Sequence, residues 1–97
     1  MTTSTENRVL RLEPIGGPEM ATQTLEGVGP YLIGRARESD VCLPGSTVSR
    51  RHASLVSRDG AWYIEDLESR HGSCLNGLRL EANVFAEIHS GDLLRIG

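Results

Sequence analysis

The sequence predicts an all-β fold, an antiparallel β-sandwich of about ten short strands, on three observations. Short apolar runs recur at intervals of roughly eight to twelve residues, and no stretch sustains a helical period. Eleven glycines and four prolines separate these runs, a density that suits tight turns better than helices. Asp59-Gly60 and Asn76-Gly77 each stand between two runs, and both pairs tolerate the positive φ of a two-residue hairpin turn. A parallel α/β arrangement is excluded, because no segment supplies a crossover helix.

The elements follow in order. Residues 1–8 form a Thr- and Ser-rich polar tail with no apolar anchor and are expected to be disordered. Residues 9–97 form a single domain, since a chain of this length has no room for a second core. Within it, residues 9–12 read as a strand, broken by Gly16-Gly17-Pro18, and residues 22–25 as its return, closed by Gly27, Gly29 and Pro30. Residues 31–33 and 41–43 are strands separated by a polar loop over 34–40. Residues 52–56 and 62–65 flank the Asp59-Gly60 turn, and residues 74–75 and 78–80 flank Asn76-Gly77. Residues 84–88 and 93–96 flank a third turn at Ser90-Gly91-Asp92.

Composition narrows the function classes. Hydrophobic residues make up 38% and charged residues 24% of the chain, the balance of a soluble globular domain. No apolar run is long enough to span a bilayer as a helix, and the N-terminus is polar rather than signal-like. A net charge of −3 argues against non-specific nucleic-acid binding. Two cysteines, Cys42 and Cys74, are too few for a disulfide framework, so a reducing cytoplasm is the expected location. All ten basic residues are arginine. A GC-rich coding sequence accounts for that bias, so only individually placed arginines bear on function.

Three polar segments at strand ends do so: Gly34-Arg35, Ser49-Arg50-Arg51-His52, and Ser69-Arg70-His71-Gly72-Ser73. Each offers a donor to an anion, and loops on a β scaffold commonly carry binding residues. A phosphate monoester has about −1.5 to −2 charge and three acceptor oxygens. An arginine fork, a hydroxyl and backbone N–H groups suffice to bind it without catalysis.

The order and spacing of Gly34-Arg35, Asp40-Val41, Leu43, the run from Val48 to Ala53, the run from Trp62 to Leu67, Ser69, Gly72-Ser73, Asn76-Gly77 and Gly91-Asp92 resemble the forkhead-associated (FHA) signature. The resemblance covers residues 31–97 and implies an eleven-stranded β-sandwich that grips a phosphothreonine peptide with loops at one end, the termini lying at the other. It implies a phosphopeptide contact for Arg35, Ser49, Arg50, Arg70, His71 and Ser73. It implies a structural role for Gly34, His52, Gly72 and Asn76, which brace the binding loops. Two departures stand out. His71 occupies the place of the family's usual asparagine. The strand that follows the last run in the family is absent here, so a fragment of a larger protein is expected, whose two open sheet edges pair directly, take residues 9–12 into the gap, or form a dimer.

The function implied is recognition of a phosphothreonine-containing partner, a Ser/Thr-kinase substrate, in signalling. No enzyme activity, cofactor, metal, membrane or nucleic acid enters this reading. A phospho-independent scaffold of the same fold is the alternative, favoured by His71. Ser49, His52 and Asp66 have the residue types of a hydrolase triad, but the strained Gly-x-Ser-x-Gly turn is missing. Cys42, His52, His71 and Cys74 have the types of a zinc site but only half a motif.

Overall fold

The computed structural model describes residues 1–6, 8–15 and 21–97. Eleven strands are present among the described residues: β1 (Thr2–Glu6), β2 (Val9–Glu13), β3 (Gln23–Glu26), β4 (Tyr31–Gly34), β5 (Val41–Cys42), β6 (Ala53–Arg58), β7 (Ala61–Asp66), β8 (Ser73–Leu75), β9 (Leu78–Arg79), β10 (Ala86–Ile88) and β11 (Leu94–Ile96). The break expected at Gly16-Gly17-Pro18 lies outside the described residues.

Alternation of side chains builds the core. In β2, Leu10 and Leu12 point inward and are fully buried, while Arg11 and Glu13 face solvent. In β6 and β7 the inward set is Ala53, Leu55, Ser57 and Trp62, Ile64, Asp66. The register pairs Leu55 with Ile64 and Ser57 with Trp62, so both strands present one face to the same core. One layer is β10-β7-β6-β4-β5. The other combines β3-β2-β1 with β11-β8-β9, because β1 also bonds to residues 91–93, which lead into β11. Leu10, Leu12 and Leu25 meet Ile33, Leu55, Trp62, Ile64, Ile88 and Leu94 between them. Among the described residues, strand pairing is antiparallel except for β4 with the two-residue β5, which run parallel, and an isolated Asp66–Ala82 bridge is parallel as well.

The two hairpin turns form as their residues dictate. Asp59 and Asn76 have φ of 52° and 53°, each followed by a glycine at positive φ. The third turn has a different role. Its flanking strands lie in different layers, so residues 89–93 carry the chain across the sandwich.

Two expectations for the N-terminus are overturned by one element. Residues 2–6 are not a disordered tail but β1, paired over five positions with β2. On its other side the Thr3 N–H donates to the Asp92 carbonyl (2.9 Å), and the Gly91 and Leu94 N–H groups donate to the Thr3 and Met1 carbonyls (both 2.7 Å). Thr3 is 1% exposed, and its hydroxyl donates to the His89 carbonyl at 2.8 Å. Strand order here depends on backbone bonding to two neighbouring edges, and β-branched threonine suits it without any apolar anchor. The same strand fills the gap between β2 and the 91–94 segment, so the two edges expected to be open are paired within the chain. A second correction concerns the C-terminal residue. The Gly97 N–H donates to the Gly72 carbonyl at 3.0 Å, which sets it beside the 69–72 loop rather than at the opposite end.

Candidate functional site

The site begins at the end of β4. A Cβ on Gly34 would run into the Arg50 carbonyl, so only glycine lets β4 lie this close to the 49–51 loop. That approach allows the Arg35 N–H to donate to the Ser49 carbonyl (2.9 Å) and the Ala36 N–H to the Arg50 carbonyl (3.3 Å). The Arg35 side chain is anchored at its base, where Nε donates to the Val48 carbonyl at 3.0 Å. The residue itself is exposed.

His52 ties the second loop to the third. Its ring is fully buried; Nδ1 accepts from the Ser49 N–H (2.9 Å) and Nε2 bonds to the Gly72 carbonyl (2.8 Å). A carbonyl can only accept, so the ring is the tautomer protonated at Nε2. The Ser49 hydroxyl closes the bridge by accepting from the Arg70 N–H at 3.1 Å, and it keeps its own proton available to a ligand. Gly72 is constrained twice: its φ is +80°, and an added Cβ would lie 2.7 Å from the Arg79 Nε.

Asp66 positions the third loop, a role the sequence reading did not assign to it. It is 3% exposed, accepts the hydroxyls of Ser69 (2.7 Å) and Ser73 (2.6 Å), and accepts the Ser69 N–H at 3.0 Å. The Asp-x-x-Ser spacing was the available signal. Burial pushes the Asp66 carboxyl up, but the bonds from Ser69 and Ser73 outweigh it and hold it below its ordinary 3.8. The folded state therefore takes up this proton less readily than the unfolded chain. The stabilisation is present above about pH 4 and is lost as pH falls through the folded value. Asp66→Asn is expected to cost roughly 2–3 kcal/mol at neutral pH. The difference from the parent should shrink as pH falls through the lowered value of the folded carboxyl, as urea unfolding at several acidic pH values would show.

A cleft of about 370 Å³ results, lined by Arg35, Ser46, Thr47, Val48, Ser49, Arg50, Arg70 and His71. Five of the predicted contact residues thus meet at one place. The sixth does not. Ser73 is fully buried with its hydroxyl committed to Asp66, because strand alternation turns it inward at the start of β8. Asn76 is also reassigned. It accepts the Leu93 N–H (2.9 Å) and donates to Asp92 (3.0 Å), at the Leu94 end of β11. The binding loops sit at the Ile96 end, so Asn76 braces the layer crossing and not those loops. Ser46 and Thr47 were missed, since nothing in their local sequence distinguishes them from ordinary loop hydroxyls.

A larger hollow of about 500 Å³ lies on the outer face of β4, β6 and β7, lined by residues including Leu32, Val56, Phe85 and Arg51. Size does not make it the site, because it gathers none of the paired loop donors. The residues of the triad reading do come near one another, but His52 accepts from the Ser49 amide rather than its hydroxyl, so Ser49 Oγ has no base. No three His, Cys, Asp or Glu side chains cluster as a metal site among the described residues.

The FHA domain profile matches residues 31–97, which spans β4 to β11 and every loop of the cleft. The chain belongs to the FHA domain family. Human kanadaptin is 37% identical over 93 residues, covering 84% of this chain and 12% of that protein, so the FHA domain here corresponds to a small part of that relative. The FHA domain of the CT664 protein from Chlamydia trachomatis superposes with a TM-score of 0.81 at 25% identity, covering 94% of this chain and 90% of the other. A solved FHA domain from work on phosphothreonine-dependent FHA interactions gives a TM-score of 0.74 at 28% identity, covering 92% and 85%.

Proposed function

We propose that this FHA domain binds phosphothreonine-containing segments of partner proteins and thereby makes an interaction depend on phosphorylation. One observation carries the reading. Two loops locked together by Ser49 and His52, and the Arg35 turn bonded to them, present three guanidiniums, a hydroxyl and an imidazole to a single cleft. Arg35 and Ser49 hold the phosphate, and Arg50, Arg70 and His71 contact the flanking peptide. His71 lies in the cleft lining, where its ring can donate and accept as an amide would. The solved relative associated with phosphothreonine-dependent interactions supports the same reading. Binding alone is the activity: the partner is a Ser/Thr-kinase substrate, the setting is cytoplasmic signalling, and the domain serves as one part of a larger protein.

Titration with a phosphothreonine peptide and its unphosphorylated control tests this directly. Removing the phosphate should weaken binding by at least about a hundred-fold, since it deletes several charge-assisted bonds. Equal affinity for the two peptides would replace the reading by phospho-independent scaffolding. Threonine should also be preferred over serine. Val48 is the apolar member of the cleft lining and offers a surface to the γ-methyl. One buried methyl with a fixed rotamer is worth ~1–3 kcal/mol, so matched phosphoserine peptides should bind roughly ten-fold or more weakly.

A further inference from the structure

The cleft holds more positive charge than one phosphate can use. Arg35, Arg50 and Arg70 bring three guanidiniums to it, whereas a phosphothreonine side chain brings about −1.5 to −2. No Asp or Glu among the described residues lines the cleft. Among the described residues, the ion pairs that form all involve histidine, so none of these three guanidiniums is matched by a carboxylate. This arises in a chain whose net charge is −3, so the sign of the cleft opposes that of the whole molecule.

The backbones of the three arginines are also fixed. The Arg35 N–H and the Arg50 carbonyl share the bonds that join the first two loops, and the Arg70 N–H is held by the Ser49 hydroxyl. Their heads are exposed, so they lose little hydration in the free protein and are available to a ligand. Exposed like charges gathered without partners cost stability through mutual repulsion. An anionic ligand relieves that cost when it binds.

We infer that the ligand carries a second anionic group beside the phosphothreonine, a carboxylate or a further phosphate, which Arg50 and Arg70 read while Arg35 and Ser49 hold the first. The inference rests on the phosphothreonine reading and specifies the class of partner segment: acidic or multiply phosphorylated.

Four peptides with one shared phosphothreonine test it by calorimetric titration at low and raised ionic strength. Their flanks carry alanines, two aspartates, a second phosphothreonine, or two lysines. The aspartate and double-phosphate peptides should bind about ten-fold tighter than the alanine peptide and the lysine peptide more weakly, with the spread narrowing in salt. The pair of substitutions Arg50→Gln and Arg70→Gln should reduce the aspartate-to-alanine ratio to about two-fold. Arg35→Ala should weaken all four peptides and preserve the ratio. Tight binding by only one of the two anionic peptides identifies which group is read. Equal affinity for the aspartate, double-phosphate and alanine peptides overturns the inference, and so does a ratio that survives loss of both Arg50 and Arg70. Those results leave phosphothreonine recognition standing, whereas failure of all four peptides to bind refutes both.

Discussion

Arg35→Ala weakens phosphothreonine-peptide binding by about ten- to a hundred-fold, with little change in melting temperature. Charge-assisted hydrogen bonds are worth roughly 1.5–3 kcal/mol each, and the guanidinium reaches the phosphate with the donors left free once Nε has bonded Val48. The side chain is exposed and has no carboxylate partner among the described residues, so its removal costs the fold about 1 kcal/mol or less. Ser49→Ala should rival it in effect. That hydroxyl both faces the cleft and holds the Arg70 amide, so its loss frees the third loop as well. His52→Ala behaves in the reverse way. Two loops lose their common tie and two buried backbone groups lose a partner, so stability falls first and affinity follows. Calorimetry paired with thermal melts separates these patterns. An Arg35→Ala protein that binds phosphopeptide at the parent affinity would remove Arg35 from the site.

Deleting residues 1–6 is expected to cause the largest loss of stability of any change proposed. β1 bonds to β2 on one side and to the 91–94 segment on the other, so its removal opens both edges together. Each backbone bond contributes ~0.5–1.5 kcal/mol net, and the buried Thr3 adds its own packing. A net cost of at least ~3 kcal/mol follows, or a fall in Tm of roughly 10–20 °C for a domain of this size. Two unpaired edges also recruit other chains, so the truncated protein should elute earlier than the intact chain, as larger assemblies or aggregates. A truncated protein with the parent melting temperature and elution volume would show that β1 contributes nothing to the layer. The cleft is built from β4, β6 and β8 with their loops, so phosphopeptide affinity measured well below the new Tm should change little.

The sequence by itself determined the β class, ten of the strands to within a few residues, the two hairpin turns and five residues of the cleft. Each of these is a local property. Alternation and run length mark strands, Asp-Gly and Asn-Gly set turn geometry, and the resemblance of residues 31–97 places loop residues relative to strands. What only the tertiary structure decided depends on pairing between distant parts of the chain. Thr2–Glu6 looked like a tail because it has no apolar anchor. It is ordered because two edges about eighty residues apart in sequence present unpaired backbone groups to it. Ser73 and Asn76 lie beside signature residues, but β8 buries one under Asp66 and carries the other to the far end of the sheet. Asp66 acquired its role from the same packing: seven residues separate it from Ser73 along the chain, and the fold brings them to 2.6 Å.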